Sequence, residues 1–185
     1  MGEIVSSFFI SLDGVVESPD QWHFPYFDDD MGAAVGESID ASTGLLMGRT
    51  LYEEWAQYWP GSTDEPFASW INNAPKWVVS STLGSADWNN STLITGDDVA
   101  GQVRALKEST DGIIGMSGSA TTTRWLLSEG LLDRLDLLVH PLAVGKGHRL
   151  FEDGFSHPLT LLSSTAYGTG VVRLIYAPAE APAAS

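Results

Sequence analysis

The stretch Gly112-Ile113-Ile114-Gly115-Met116-Ser117-Gly118-Ser119-Ala120 passes from a short apolar run into small and hydroxyl residues. A short apolar run bounded by turn residues is typical of a buried strand. The residues that follow predict a helix whose core face holds Trp125 and Leu126 and which ends at Gly130. A strand, a glycine turn and a helix form one step of a parallel α/β sheet.

The same strand-then-helix order recurs on both sides of this stretch. The other pairs are residues 4–12 with a helix beginning near Asp28, residues 44–48 with 50–58, and residues 92–95 with 98–108. Residues 76–82 and 134–144 predict further strands, and residues 158–166 and 170–176 predict a closing antiparallel hairpin. The repeated step implies parallel pairing with right-handed crossovers, so we predict one mixed-sheet α/β domain over residues 1–177. Residues 178–185 predict a disordered tail.

Composition excludes several classes of function. The 185 residues include no cysteine, and 9 basic against 24 acidic side chains give a net charge of −15. This acidity argues against nucleic acid as a partner, and no apolar run reaches the roughly 20 residues that span a bilayer. The four histidines form no H-x-x-x-H pair, so we expect no metal site. Met1-Gly2-Glu3-Ile4 lacks the basic flank of a signal peptide, and a cytoplasmic location is expected.

Arg49 is the only basic residue among the first 75, which carry 13 acidic side chains. One interpretation is that Arg49 neutralises Glu53, one helical turn further on. The other is that it contacts a bound anion. Both interpretations are open at the level of sequence.

Three predicted strand ends have the chemistry of a phosphate site. Gly48-Arg49-Thr50 and Gly118-Ser119-Ala120 each offer a close backbone approach and a hydroxyl at the start of a helix. Ser80-Ser81 offers hydroxyls to a ribose or its phosphate. A glycine after a strand is more often only a turn, but the recurrence favours a nucleotide. No G-x-G-x-x-G follows the first strand, which disfavours an ordinary Rossmann site.

An aromatic loop precedes the acidic start of the first helix. Trp22, Tyr26 and Phe27 are candidates for a wall that stacks a flat heterocycle, followed by a run of carboxylates at residues 28–30. We select Asp30 to bind ring nitrogens or relay a proton, because it directly precedes Met31 in the buried stripe. His23 is the alternative proton donor. The competing interpretation is that the carboxylates only cap the helix.

In this order the motifs resemble the dihydrofolate reductase superfamily, and more closely the reductase domain of riboflavin biosynthesis, RibD C-terminal, with its small stand-alone relatives. The resemblance covers about residues 3–176. It is carried by these segments: Ser11-Leu12-Asp13-Gly14, Leu46-Met47-Gly48-Arg49, Tyr52-Glu53, Val79-Ser80-Ser81, Gly118-Ser119, Gly130-Leu131-Leu132-Asp133-Arg134-Leu135, and Pro141 through Leu150-Phe151.

The resemblance implies a mixed, mostly parallel eight-stranded sheet flanked by helices, with NADPH lying across it. The pyrophosphate is expected near Gly48-Arg49-Thr50 and Gly118-Ser119-Ala120, and the 2′-phosphate near Ser80 and Ser81. An unusual backbone conformation, such as a cis peptide, is expected between Gly118 and Ser119. A homodimer is expected through the closing hairpin, which carries apolar residues on both strands.

The activity implied is NADPH-dependent hydride transfer to a small heterocycle such as a pteridine or aminouracil. The riboflavin-pathway example is 5-amino-6-(5-phosphoribosylamino)uracil reductase. The alternative is a nucleotide- or flavin-binding protein without turnover on the same scaffold. Titration with NADPH separates nucleotide binders from other proteins, and NADPH consumption separates an enzyme from a binder.

Overall fold

The computed structural model describes residues 1–179 and contains eight strands in one sheet. Their bounds are β1 Glu3–Ser11, β2 Ser42–Gly48, β3 Lys76–Val79, β4 Ser91–Ile94, β5 Ile113–Met116, β6 Arg134–His140, β7 Leu159–Ala166 and β8 Val172–Pro178. The spatial order is β4-β3-β2-β5-β1-β6-β8-β7. The first six pair in parallel, and β8 joins β6 and β7 antiparallel. The predicted mixed, mostly parallel eight-stranded sheet is confirmed.

Five α-helices flank this sheet. They are α1 Asp29–Asp40, α2 Arg49–Tyr58, α3 Phe67–Asn73, α4 Val99–Ser109 and α5 Ala120–Ser128. Helices α4 and α5 bury Val103, Leu126 and Leu127 against one face of the sheet, in the largest core cluster. Helices α2 and α3 cover the other face through Tyr52 and Ile71. Helix α1 covers the same second face through Met31, so the fold has three layers.

Three elements differ most from the sequence prediction. Strand β3 ends at Val79 rather than at residue 82, because Ser80 begins a turn in which its hydroxyl accepts from two N–H groups. Helix α3 lies in a segment for which no element was predicted; it is a two-turn helix that buries Ala68 and Ile71 three residues apart. Strand β6 ends at His140 rather than at residue 144. Pro141 follows it, and proline has no N–H to continue the pairing of a strand.

Lys76 is fully buried at the start of β3. Its ammonium donates to the carbonyl oxygens of Asn72, Ala74 and Asn89 at 2.9 to 3.2 Å, and it lies 4.2 Å from the centre of the Trp88 ring. Burial lowers the pKa of Lys76 to about 8. All three N–H groups of the ammonium are used inside the protein, so Lys76 joins α3 to the β3–β4 connection and offers nothing to a ligand.

The closing hairpin divides its apolar residues between core and surface. Leu159 and Leu174 pack against the main core, whereas Leu161 and Leu162 are about half exposed. The homodimer expected through this hairpin stays a prediction, and its exposed leucine pair is the surface that a partner would cover. The predicted tail, residues 178–185, begins with Pro178 at the end of β8, and residues 180–185 lie outside the described residues.

Candidate active site

The starts of α2 and α5 meet at one edge of the sheet. Strands β2 and β5 are neighbours, and each leads directly into its helix. A Cβ placed on Gly48 would lie 2.6 Å from Thr122 Oγ1 and 3.0 Å from Ser119 Oγ. The backbone angles of Gly48 are those that any residue adopts, so its conformation does not require glycine. Glycine is required for space, because a side chain at this position would push the two helix starts apart. The expected convergence of these two strand ends is present.

The two helix starts differ in how their N–H groups are satisfied. Ser119 caps α5, accepting from the Thr122 N–H at 3.3 Å. Helix α2 has no side-chain cap at Gly48, so its first N–H groups have no acceptor from a capping side chain. The peptide bond between Gly118 and Ser119 is cis, as expected. Uncapped N–H groups and the helix dipole make this edge suited to an anion.

Arg49 stands at the first position of α2, half exposed. Its guanidinium lies 3.9 Å from the Glu53 carboxylate, so the pairing with Glu53 exists but is long and solvated. Thr50, next to it, is exposed. Because an exposed pair of this kind contributes about 0–1 kcal/mol, it leaves Arg49 free to turn towards an anion.

The third strand end differs from the other two. Ser80 is buried, and its hydroxyl oxygen accepts from the N–H groups of Thr82 and Leu83 at 3.1 and 2.9 Å. It closes the turn after β3. Ser81 is exposed and follows the strand that neighbours β2. Of the two predicted serines, Ser81 is thus the one that presents an exposed side chain.

A cleft lies beside this edge, on the sheet face that α1, α2 and α3 cover. Its empty volume is about 800 Å³ including its open mouth. Trp55 and Trp70 form its aromatic wall with Phe9. Ser117, which also lines it, is followed directly by Gly118, so the cleft adjoins the paired helix starts.

A buried ion pair forms the polar part of the cleft. Arg173 Nε donates to both carboxylate oxygens of Asp136, at 3.0 and 3.1 Å. Arg173 Nη2 donates to the same carboxylate and, at 3.3 Å, to Ser38 Oγ on α1. Asp136 raises the pKa of Arg173. The guanidinium is therefore charged, and its charge is neutralised by a carboxylate that is itself buried.

The predicted aromatic wall is a packed cluster at the ends of β1 and β6. His23 stacks on Phe9 with ring centres 4.6 Å apart, and Phe27 meets His23 edge-on. Trp22 and Tyr26 both place their rings edge-on to His140, which is fully buried. None of these loop residues lines the cleft; their link to it is Phe9.

His23 is buried in this cluster, and burial, together with the neighbouring His140, lowers its pKa. The Nδ1 atom of His23 has no hydrogen-bond partner among residues 1–179. His140 Nδ1 lies 2.8 Å from the Leu138 carbonyl oxygen, in agreement with a hydrogen-bonded core residue. Both imidazoles are therefore mainly neutral at pH 7.

Of the carboxylates at the start of α1, one caps the helix and the selected one, Asp30, does not line the cleft. Asp28 is the N-cap, and its Oδ1 accepts from the Met31 N–H at 2.9 Å. Asp30, the selected residue, lies exposed in the first turn and does not line the cleft. Among the described residues, Asp136 is the only carboxylate that does.

Asp13 ties two loops together at the same edge. It accepts from the Ser11 hydroxyl at 2.6 Å and from the N–H groups of Val144 and Gly145 at 3.0 and 2.8 Å. These bonds, the Ser11 hydroxyl first, lower the pKa of Asp13 from 3.8 to about 2. The carboxylate holds the loop after β1 against the loop after β6.

The low pKa of Asp13 predicts that the free energy of unfolding depends on pH in the acidic range. The folded-state value lies below the ordinary one, so the stabilisation is present above pH 3.8 and is lost as the pH falls towards 2. In Asp13→Asn we expect a shallower fall of unfolding free energy over that window than in the wild type. Urea unfolding between pH 2 and 5 measures it, and parallel curves for the two proteins would contradict the assignment.

Sequence reasoning missed Asp136, Arg173 and Trp70. Asp136 stands in Leu135-Asp136-Leu137, and Arg173 interrupts Val172-Arg173-Leu174. A charge inside an apolar strand is rarely buried without a partner, so two such residues of opposite sign indicate each other. Trp70 lies in α3, for which no element was predicted.

Residues 3–173 match the family described as RibD C-terminal domain. The chain belongs to that family. It is a reductase family with the dihydrofolate reductase-like fold, which confirms the resemblance noted in the sequence. Within residues 1–179, no helix has the length and apolar character needed to cross a membrane.

Individual proteins of similar sequence or fold cover nearly the whole chain. "Uncharacterized protein YyaP" of Bacillus subtilis (strain 168) is 26% identical over 179 residues, which cover 94% of this chain and 93% of YyaP. A putative riboflavin biosynthesis protein from Shewanella sp. PV-4 superimposes with a TM-score of 0.75 at 18% identity, over 96% of this chain and 99% of that one. Dihydrofolate reductase from Enterococcus faecalis, complexed with NADP(H), gives 0.63 at 14%, over 96% of each chain.

Proposed function

We propose that this protein is an NADPH-dependent reductase that transfers hydride to a small heterocycle such as a pteridine or aminouracil. The observation that carries the proposal is the position of the cleft, whose lining includes Ser117, three residues before the first residue of α5. Family membership supports the reaction class. An anion site beside an aromatic cleft suits a phosphate-bearing cofactor next to a flat substrate.

The residues at the edge of the sheet fit NADPH. The absence of a side chain at Gly48 lets the starts of α2 and α5 lie side by side, and the uncapped N–H groups of α2 supply donors. Arg49 supplies a positive charge, Thr50 a hydroxyl, and Ser119 and Ala120 begin α5 opposite. When bound, NADPH supplies the hydride. The chain itself binds, orients and keeps water from the substrate.

Arg49→Ala is expected to weaken NADPH binding by about 1–3 kcal/mol, the cost of a lost charge-assisted hydrogen bond. Calorimetric titration measures the change. Arg104→Ala is the matched control, because Arg104 lies on α4, which packs on the sheet face opposite to α2. Equal affinity of the Arg49 variant and the wild type would assign Arg49 to Glu53 alone.

Catalytic roles for Asp30 and His23 rest on the resemblance and stay predictions. If either residue serves the substrate, Asp30→Asn or His23→Gln will lose turnover and keep the NADPH affinity of the wild type. The comparison requires a substrate that the wild type reduces, followed by the absorbance of NADPH. Full activity of both variants would make Asp30 a first-turn helix residue and His23 a packing residue.

The second candidate is a nucleotide- or flavin-binding protein without turnover. It is favoured by one observation, that no acidic side chain in the cleft is free of a salt bridge among the described residues. A rise in melting temperature with NADPH is expected under both proposals. Oxidation of NADPH in the presence of dihydropteridine or aminouracil compounds is expected only of the reductase.

A further inference from the structure

The positive charges of this protein are few, and six of the nine are bound to carboxylate or carbonyl oxygens of the protein. All 9 Lys and Arg residues lie within the described part of the chain. Five are in ion pairs with carboxylates, and Lys76 is bound to three carbonyl oxygens. The remaining three are Arg104 on α4 and Lys146 and Arg149 in the loop after β6, and none of them lines the cleft.

Within residues 1–179, Arg173 is the only cation that lines the cleft, and it is the cation most fully neutralised. Both oxygens of Asp136 receive its N–H groups, and only about a fifth of the Arg173 side chain is exposed. A buried phosphate needs unshared positive charge or free N–H groups at a helix start, because its desolvation is otherwise uncompensated. The first residues of α1, α2, α3 and α5 do not line this cleft. The cleft therefore offers a phosphate group no charge complement.

An adjoining cleft, which shares Arg173 and Asp136, also has no unshared positive charge among residues 1–179. It adds Arg134, whose Nη2 is 2.7 Å from the Glu3 carboxylate, and it also adds the carboxylate of Glu37. The net charge of −15 adds a repulsive background. Anions are therefore disfavoured throughout the space between α1 and the sheet.

The remaining lining is mostly apolar. Trp55, Trp70 and Phe9 provide rings that stack on a planar molecule. The hydroxyls of Ser7 and Ser42 and the carboxylate of Asp136 line the cleft without adding positive charge, and Ser42 Oγ donates to the Ser38 carbonyl oxygen at 2.8 Å. Such a lining suits an uncharged ring with one hydrogen-bonding edge.

We infer that the substrate of this protein is an uncharged, flat molecule without a phosphate ester, so that the cleft discriminates against phosphorylated ribosyl or ribityl compounds. The inference rests on the proposed function in that it takes the cleft as the substrate site. It sets this chain apart from an enzyme that reduces 5-amino-6-(5-phosphoribosylamino)uracil.

Matched pairs that differ only in a phosphate test the inference. Riboflavin and FMN are one pair, followed by flavin fluorescence. 5-Amino-6-(ribosylamino)uracil and its 5′-phosphate are the second pair, followed by calorimetry. Each titration is run with and without saturating NADP⁺, so the preference is measured even if the cofactor proposal fails. We expect the uncharged member of a pair to bind at least tenfold more tightly.

A cation introduced into the cleft should reverse the preference. Ile39 lines the cleft from α1 and is half-buried, so a lysine there places an ammonium at the lining without a change of backbone. In Ile39→Lys we expect FMN to gain at least tenfold over riboflavin. Ile39→Gln is the matched uncharged control and should keep the wild-type preference.

The outcomes separate the two proposals. Equal or tighter binding of the phosphorylated members by the wild type would overturn the inference, as would binding of neither member of either pair. Failure of NADPH to bind, together with a clear preference for the uncharged members, would overturn the reductase proposal and leave the inference about the cleft supported.

Discussion

Replacing Asp136 by alanine is expected to lower the free energy of unfolding by about 3–5 kcal/mol, the range found when one partner of a buried ion pair is removed. In the wild type, Arg173 Nε donates to Asp136 at 3.0 and 3.1 Å. The variant removes this carboxylate and leaves the guanidinium charge without it. Asp136 is 6% exposed, so water does not replace it freely. Urea unfolding at pH 7 measures the difference.

Two controls identify the cause. Glu3→Ala breaks the pair with Arg134, whose partners are one third to one half exposed, and should cost less than about 1 kcal/mol. The double variant Asp136→Leu/Arg173→Met removes both charges and should recover most of the loss, since apolar residues of similar volume often replace such a pair without cost. A single variant as stable as Glu3→Ala would show that the pair is not buried as described.

Gly48→Ala is expected to weaken NADPH binding by about tenfold to a hundredfold, equivalent to about 1.4–2.8 kcal/mol. The added Cβ would stand 2.6 Å from Thr122 Oγ1 and 3.0 Å from Ser119 Oγ, so the starts of α2 and α5 must separate. The same overpacking should lower the free energy of unfolding by about 1–3 kcal/mol. Calorimetry and urea unfolding measure the two effects.

Gly36→Ala is the matched control for this substitution. Gly36 lies in α1, and a Cβ there meets nothing within 4 Å, so alanine should stabilise the helix by about 0.5–1 kcal/mol. Gly48→Ala/Thr122→Ala removes the closest contact and should restore part of the affinity. If Gly48→Ala binds NADPH like the wild type, the approach of the two helix starts has no role in cofactor binding.

The fold was predictable because its signals are local. Strand β5 and the start of α5 are readable from residues 112–120 alone, and Asp28 acts as the cap that its residue type predicts. Helix α3 was missed because seven residues give too short a period to recognise, and its position depends on burial of Ile71 against the sheet.

The cleft was less predictable, because it is assembled from distant parts of the chain. Asp136 and Arg173 are 37 residues apart and meet only through the antiparallel pairing of β6 with β8. Asp30 was selected because it directly precedes the buried Met31 in the sequence. Neighbouring residues lie about 100° apart around a helix, so Asp30 points away from the buried stripe and is exposed. The predicted aromatic loop packs at the ends of β1 and β6, whereas the rings that line the cleft come from β1, α2 and α3.

Titration of ¹⁵N-labelled protein with NADPH, followed by amide chemical shifts, locates the residues that contact the cofactor. Binding at the paired helix starts predicts that the largest shifts occur at the amides of Gly48, Arg49, Thr50, Ser119 and Ala120, with smaller shifts at Ser117 beside the cleft. Absence of shifts at millimolar NADPH, or shifts confined to residues of α4, would contradict the assignment of this edge as a cofactor site.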